Sequence, residues 1–376
     1  MRVVVAMSGG VDSSVVAGLL HEAGHEVIGV TLQLYNHGAA INRKGACCAG
    51  QDIHDARRVA DHLGIPHYII DAEARFARAV IADFVDSYAA GETPVPCVRC
   101  NQTVKFTDLT VLARGLGAER LATGHYVRRI DGPDGPELHR AYDLARDQSW
   151  FLFATTREQL ARSMFPLGDM PDKRSVRADA ERLGLPVAAK HDSQDICFVD
   201  SGHYADTVLR HRPDAGGPGD IVARDGRILG RHDGIARYTV GQGKRLGAAT
   251  MDRGERQVVL EVQPQARRIV VGPRDAGTRT VHLREVNWLI SPRSGPLVCG
   301  VKLRAREAVQ PATLFADRDE VRLDVAALPA PGQACVFYDG SRVLGGGVIR
   351  RPGVDARGDV GLSPSPLRLD GGVAQR

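Results

Sequence analysis

The chain has 376 residues, enough for two or three domains. Hydrophobic residues at 43% and charged residues at 25% match a packed globular protein and exclude a mostly disordered or collagen-like chain. The formal charge of +4 is only mildly basic, but its make-up is one-sided, with six lysines against 43 arginines. The bland reading of that excess is codon bias; arginine also makes forked contacts with phosphate, which leaves a nucleic-acid partner open.

Aromatic residues are sparse at 5%, so the cores must rest mainly on Val, Leu, Ile and Ala. The N-terminus, MRVVVAMSGG, reaches its glycines too soon for a signal peptide. No apolar run approaches the roughly 18 residues needed to span a bilayer. A cytoplasmic protein without a membrane segment is therefore expected, with monomer as the default state. In a reducing compartment Cys47, Cys48, Cys97, Cys100, Cys197, Cys299 and Cys335 are core residues, metal ligands or catalysts rather than a disulfide scaffold.

The first 125 residues alternate strand and helix patterns. Arg2–Met7 is a short β-branched run, Val11–Glu22 reads as a helix stopped by Gly24, and Val27–Leu34 is again strand-like. Gln51–Leu63 carries Ile53, Ala56, Ala60 and Leu63 on one helix face, with Gly64 suited to end it. Ile65–Asp71 is a strand candidate. Phe76, Val80, Phe84 and Tyr88 repeat at i+4 on the next helix, which Gly91 ends. Asn101–Arg114 reads as helical and Arg120–Thr123 as extended. Strands alternating with helices imply an α/β fold with a doubly wound parallel sheet, whose ligands bind at the C-terminal strand ends. That rule selects the segments after Met7, Leu32 and Thr123.

Residues 143–200 look mostly helical, with Thr156–Ser163 and Asp172–Leu183 extending the first domain. RPDAGGPG at Arg212–Gly219 reads as a linker. Beyond it, short β-branched runs (Gln257–Val262, Arg268–Val271, Val298–Arg304, Cys335–Tyr338) alternate with Gly and Pro turns, as in small β barrels. From Pro352 the chain has little apolar content and reads as a mobile tail.

The most specific local feature is Ser8-Gly9-Gly10-Val11-Asp12-Ser13, between the first strand and the first helix. Its glycines let several N–H groups face one anion, and the helix N-terminus adds its positive dipole end. Ser8 and Ser13 can donate to phosphate, and Asp12 can hold Mg²⁺ or cap the helix. The loop is neither a Walker sequence nor a dinucleotide fingerprint, and it contains no lysine to reach a γ-phosphate. It resembles the PP-loop of ATP pyrophosphatases, which adenylate their substrates and release pyrophosphate. Leu32 and Gly124 would lie at the same sheet edge, against adenine and ribose.

Cys97 and Cys100 lie in TPVPCVRC, ahead of the helix expected from Asn101. Two prolines stiffen the loop, Cys100 is expected at a helix N-terminus, and Arg99 and Lys105 are near in sequence; each favours a reactive thiolate. Cys197, in HDSQDICFVD, is the third candidate, with an inert core thiol as its bland alternative. A structural zinc needs four ligands, which one C-x₂-C pair and a lone distant cysteine do not supply. Cys299 and Cys335 fall in strand-like runs and read as core, and Cys47 and Cys48 lie in a long loop without an evident role.

MSGGVDSSV (Met7–Val15), TPVPCVRCN with a following KF (Thr93–Phe106), ATGHYVRR (Ala122–Arg129), RDQSWFLF (Arg146–Phe153), ICF (Ile196–Phe198), YTVGQGKRLG (Tyr238–Gly247), PGQACVFY (Pro331–Tyr338) and LGGGVI (Leu344–Ile349) stand in one order along the chain. Together they resemble the bacterial tRNA-specific 2-thiouridylases, the MnmA type, from residue 2 to about 350. The resemblance implies a PP-loop domain with a helical extension at 1–204, a small β-rich domain at 205–277 and a β-barrel-like tRNA-binding domain at 278–352; the tail at 353–376, expected to be disordered from its composition, lies outside it.

It implies thiolation of the wobble uridine (U34) in tRNAs for Lys, Glu and Gln. ATP would adenylate the C2 oxygen. Sulfur would arrive as a persulfide on Cys197 through a relay beginning at a cysteine desulfurase. Cys100 would be the nucleophile, freeing hydrosulfide or closing a disulfide with Cys197. Ala6, Met7, Ser8, Gly9, Gly10, Val11, Asp12, Ser13, Leu32 and Gly124 would bind ATP. Val95, Pro96 and Cys97 would touch the target base, and His125, Arg146, Asp147, Gln148, Arg304, Ala305 and Gln333 would meet tRNA. Without the family, His125 reads equally as a core histidine, and Arg146 and Arg304 as solvated surface charges.

One position departs from the pattern with Asp three residues before the nucleophile: here it is Cys97. Cys97 could instead pair with Cys100, or could join Cys100 and Cys197 as three ligands of a [4Fe–4S] cluster with one open iron. The competing reading is a PP-loop ligase or amidotransferase that adenylates a small molecule, which would need neither thiol pair nor β-rich half. An RNA-binding protein with a degenerate nucleotide fold is a third, which the intact SGGVDS loop disfavours.

Overall fold

The computed structural model describes residues 1–35, 48–192, 196–199, 204–291 and 295–351. The chain begins with β1 (Arg2–Ala6), α1 (Val11–Glu22), β2 (Glu26–Gln33), α2 (Cys48–Leu63) and β3 (His67–Asp71). The helices α3 (Glu73–Phe76), α4 (Ala82–Ala89), α5 (Pro96–Cys100) and α6 (Phe106–Gly115) follow, then β4 (Arg120–Ala122) and the hairpin β5 (Val127–Gly132) and β6 (Gly135–Arg140). Next come α7 (Arg157–Arg162), β7 (Ser163–Met164), α8 (Lys173–Arg182) and α9 (Tyr204–His211).

Strands β3-β2-β1-β4-β7 form one parallel sheet in that order. Val3, Val4 and Val5 have no exposed surface, because helices cover both faces of the sheet, and only Arg2 and Ala6 at the ends of the central strand are partly exposed. Thr156 and its third neighbour Gln159 close a capping box that starts α7, and Asp172 caps α8 by accepting from the Ser175 amide.

Two helices that the residue pattern presents as uniform each contain a π-helical turn. Ala77–Ile81 joins α3 to α4 and Asn101–Lys105 joins α5 to α6. Phe76, Val80, Phe84 and Tyr88 are nonetheless all buried, and Gly91 takes a left-handed φ of 71° just past the end.

The second module comprises β8 (Gly219–Ala223), β9 (Ile228–His232), β10 (Met251–Asp252), β11 (Glu255–Gln263) and β12 (Arg268–Pro273). They pair in the order β10-β11-β12-β8-β9 around Ile221, Val259, Ile269 and Val271. The third comprises β13 (Thr278–Trp288), β14 (Pro296–Lys302), β15 (Gln310–Phe315), β16 (Glu320–Ala327), β17 (Ala334–Asp339) and β18 (Arg342–Ile349). The order β13-β16-β15-β14-β17-β18 closes through β13–β18 pairing into a barrel, as the β-branched runs and turn residues predict.

The hairpin β5–β6 belongs to this barrel and not to the parallel sheet. His139 and Leu138 pair with Arg342 and Val343 of β18. A single apolar cluster accordingly runs from Val4, Phe106 and Leu109 through Trp150 and Phe153 to Val336 and Tyr338. Burying each such large side chain stabilises by about 1.5–3 kcal/mol, so the first and third modules are held as one body. The tail expected at 353–376 and Cys47 lie outside the described residues. Cys48 opens α2, which begins three residues before the helix pattern predicts.

Candidate active site

Ser8–Ser13 turns between β1 and α1 as the glycine pattern requires. Gly9 has φ +74°, and a Cβ there would come 2.1 Å from the Asp52 carbonyl oxygen of α2, so only glycine fits. Gly10 is the N-cap of α1 without a side-chain cap, which leaves the first amides of the helix open to an anion. The Ser8 amide donates to Ser13 Oγ at 3.1 Å, and the two hydroxyls lie 3.2 Å apart. Gly124, beyond β4, approaches so closely that a Cβ would be 2.9 Å from the Ser13 nitrogen.

These segments enclose a cavity of about 250 Å³ at the C-terminal edge of the sheet. Ala6, Met7, Ser8, Asp12, Ser13, Leu32 and Gly124 line it, with Lys105, Phe106, His125 and Gln148 on the far wall. Gly9, Gly10 and Val11 do not line it: the two glycines turn the backbone between Ser8 and Asp12, and Val11 is buried in the core.

The loop itself has no lysine, but the fold brings three of the chain's six to it. Lys173 Nζ donates to Asp12 Oδ1 at 2.6 Å and contacts Asp192 at 2.9 Å. Tyr126 donates its hydroxyl to the same Asp12 oxygen at 2.7 Å. Lys190 Nζ donates to the Gly9 carbonyl at 3.0 Å and to Asp52 and Asp55 at 2.6 Å each, tying α2 to the loop. Burial works against the Asp55 carboxylate, but Lys190 and Gln51 hold its pKa below the usual range. Lys105 is the third. The signal that could have found them is compositional: a lysine kept in an arginine-rich chain marks a place where a compact ammonium is wanted.

The thiols depart from expectation. The helix starts at Pro96 in its first turn, so Cys97 lies near the N-terminus and Cys100 ends α5. The helix dipole therefore does not favour a Cys100 thiolate, and burial raises the pKa of that thiol, with Lys105 opposing. Nor does Arg99 act on it as a free cation. Its guanidinium is forked onto Glu285 at 2.7 and 3.2 Å and reaches Asp83 at 3.3 Å. Glu285 lies at a bulge of β13 with φ +50°, a left-handed conformation that turns it toward Arg99.

Cys197 belongs to a solvent-accessible residue, yet desolvation and the neighbouring Cys100 and Cys97 push its thiol up to about 12, again with Lys105 opposing. Phe198 anchors this segment, meeting Phe76 and Phe84 edge-on with centroids 5.6 and 5.2 Å apart. Cys100, Phe76, Val80 and Val104 form the cluster that Phe198, Leu32 and Leu34 cover, so both cysteine segments converge beside the wall of the nucleotide-sized cavity.

The iron–sulfur alternative does not fit. Among the described residues no three Cys, His, Asp or Glu side chains gather as metal ligands, Cys97, Cys100 and Cys197 included. Cys299 and Cys335 are buried in the barrel, as expected.

Of the residues expected at tRNA, Arg146 is exposed and ion-paired with Asp192 at 3.1 Å. Asp147 is buried beneath it, where its carboxylate accepts from Arg140, the Ala141 and Ser149 amides and the Ser149 hydroxyl. Gln148 accepts from the Tyr126 amide. His125 stacks on Phe106, and its Nδ1 lies 2.8 Å from the Thr123 hydroxyl. Burial, with Lys105 second, lowers its pKa to about 3, so the ring is neutral. Arg304 donates to the Val240 and Leu328 carbonyls and to Glu307, with Ala305 half-buried beside it. Gln333 donates to the Thr93 carbonyl at 2.8 Å and so holds the strap that leads to Val95, Pro96 and Cys97.

A glycine loop at the edge of a parallel sheet, followed by two β modules, defines a nucleotide-binding α/β domain with appended barrels. Residues 1–201 match the model of the tRNA methyl transferase HUP domain. Residues 205–273 match the tRNA methyl transferase PRC-barrel domain, and 278–349 the aminomethyltransferase beta-barrel domain. A tRNA-specific 2-thiouridylase MnmA of Acidiphilium cryptum is 70% identical over 93% of this chain and 100% of its own length. The proteins of the same name from Gluconobacter oxydans and Rhodospirillum centenum are 61% and 56% identical, covering 93% and 99% of this chain and 99% and 96% of their own. The chain belongs to the family of tRNA-specific 2-thiouridylases. Among the described residues no helix is long and apolar enough to cross a membrane.

Proposed function

We propose that this chain is an ATP-dependent tRNA-uridine 2-sulfurtransferase that acts on the wobble uridine (U34) of tRNAs for Lys, Glu and Gln in the cytoplasm. ATP enters the cavity with its phosphates on the Ser8–Ser13 amides and hydroxyls and its adenosine against Leu32 and Gly124. Asp12 Oδ1 accepts from Tyr126 and Lys173, and the Asp12 carboxylate would hold Mg²⁺, which would offset the charge of the phosphates.

The C2 oxygen of the flipped uridine attacks the α-phosphorus, and pyrophosphate leaves. A persulfide on Cys197, supplied by a cysteine desulfurase or a relay protein, presents its terminal sulfur to C2, and AMP departs with the original oxygen. Cys100 attacks Cys197 Sγ, either in the resulting adduct or in the persulfide, in which case the freed hydrosulfide is the attacker. Both routes close a Cys100–Cys197 disulfide and give 2-thiouridine, and a dithiol reductant restores the thiols. In this reading residues 1–204 carry the chemistry, while 205–277 and 278–352 hold the tRNA body largely by shape and backbone.

The observation that carries the reading is convergence: Phe198 and Cys100 share one apolar cluster, and Leu32 and Leu34 belong both to it and to the cavity wall. The test is reconstitution with unmodified tRNA, ATP, Mg²⁺ and a persulfide donor, with nucleosides read by mass spectrometry. A 2-thio product lost in both Cys100→Ala and Cys197→Ala is expected. A Cys100→Ser protein that keeps full ATP turnover on a small molecule overturns the reading.

A further inference from the structure

Lys105 stands apart from the other two lysines of the site. Lys173 and Lys190 are each held by two carboxylates. Among the described residues Lys105 has no carboxylate or hydrogen-bond partner for its ammonium, although it is half-buried and lines the cavity. A half-buried cation without a counter-ion is costly unless an anion arrives to complete it.

Its position follows from the local fold. Five residues along an ordinary α-helix is a rotation of about 140° away from Cys100. The π-helical turn Asn101–Lys105 replaces that geometry with i→i+5 hydrogen bonding, which narrows the angle between Lys105 and Cys100, and such turns recur at functional sites. The ammonium is felt electrostatically by Cys100, Cys197 and His125 alike. It thus occupies the junction between the nucleotide cavity and the thiols. In the reaction proposed above, one group must lie at that junction: the oxygen that links C2 to the α-phosphorus, together with its phosphate.

We propose that Lys105 is a further catalytic residue whose ammonium contacts the α-phosphate and stabilises the charge that develops there, first as uridine is adenylated and again as AMP leaves. This assignment rests on the 2-thiolation reading. Lysine suits the task because a compact, strongly charged donor can follow one phosphate through both steps.

The test compares wild type, Lys105→Gln and Lys105→Arg with unmodified tRNA, following AMP release and, separately, carbamidomethylation of Cys100 in the nucleotide-free protein. Lys105→Gln should lower kcat for tRNA-dependent AMP release by about 100-fold with KM for ATP little changed, and Lys105→Arg should recover about tenfold of that loss. Cys100 should label more slowly in Lys105→Gln, which reads the cation at the junction without any turnover. A Lys105→Gln protein with wild-type kcat, or one whose loss lies wholly in KM or in thermal stability, overturns the assignment alone. A wild type that releases no AMP with tRNA overturns the underlying reading and this role with it, while Cys100 labelling still reports whether the cation acts on the thiol.

Discussion

Phe198 meets Phe76 edge-on, with ring centroids 5.6 Å apart, and through that contact the residue after Cys197 is packed into the cluster that buries Cys100. The segment around Cys197 is thereby held by an aromatic hinge rather than by the backbone of a regular element. Aromatic pairs of this kind contribute about 0.5–1.5 kcal/mol each, and Phe198 makes two. Phe198→Ala should therefore destabilise by about 1–3 kcal/mol in urea melts. The rate of 2-thiouridine formation should fall by more than tenfold, beyond what that loss of folded protein explains. Unchanged sulfur transfer would show that the segment needs no such anchor.

Lys173 is the ammonium between Asp12 and Asp192, and its side chain is only 10% exposed. Lys173→Met leaves Asp12 with Tyr126 alone, whereas Asp192 keeps Arg146 and Arg177. Both carboxylates are partly wetted, so the expected loss is about 2 kcal/mol rather than the full cost of orphaned buried charges. Adding Asp12→Asn should restore much of it, a coupling that a double-mutant cycle measures directly.

His125 sets an acid limb on stability. Its folded pKa of about 3 lies below the unfolded value of 6.5, so the unfolded chain binds the proton more readily. Stability is full above pH 6.5 and is lost as pH falls toward 3. The ring faces a cavity that water can enter, which limits the effect to about 2–4 kcal/mol. Chemical denaturation at pH 7, 5 and 4 should show a shallower decline in His125→Gln than in wild type; parallel curves would contradict the neutral, buried ring.

Glu285 combines a left-handed backbone with a forked ion pair to Arg99. The pair is partly exposed and contributes about 1 kcal/mol; the strained conformation costs a non-glycine residue about as much. Glu285→Gly should accordingly destabilise less than Glu285→Ala, although both lose the same carboxylate. The order of urea midpoints checks it, and equal midpoints would mean that the backbone stores no strain there.

Thiol labelling separates the three cysteines. Cys97 is exposed, Cys100 is buried, and the Cys197 thiol is pushed up to about 12. Iodoacetamide at pH 8 should modify Cys97 first, and the Cys197 rate should climb about tenfold per pH unit up to pH 11. Peptide mass spectrometry after timed quenching reads the order; Cys197 reacting first at pH 8 would refute the burial argument.

The parallel sheet and the glycine loop were legible because both are written locally. A β-branched run, a two-glycine turn and an amphipathic helix each need only neighbours in sequence. The hairpin β5–β6 was not, since its partner strand begins some 200 residues later and nothing in Val127–Arg140 names Arg342. Lys173 and Lys190 escaped for the same reason: a salt bridge across the fold leaves no spacing to read. The reversal at Cys100 has a different origin. Sequence proximity to Arg99 suggested a stabilised thiolate, but Glu285 and Asp83 claim that guanidinium and burial decides the thiol. Asp147 and Arg304 likewise stand in family motifs while their polar atoms are engaged within the protein.

Because β18 both closes the barrel against β13 and receives the hairpin from the first domain, the ribosome must translate nearly the whole chain before that hairpin finds its partner. The nucleotide domain emerges first with the β6 edge of its hairpin unpaired, and its final packing is deferred to the end of synthesis. A premature stop anywhere before Arg342 would thus cost the hairpin its partner strand as well as opening the barrel, so that a flaw late in the chain reaches back into its first half.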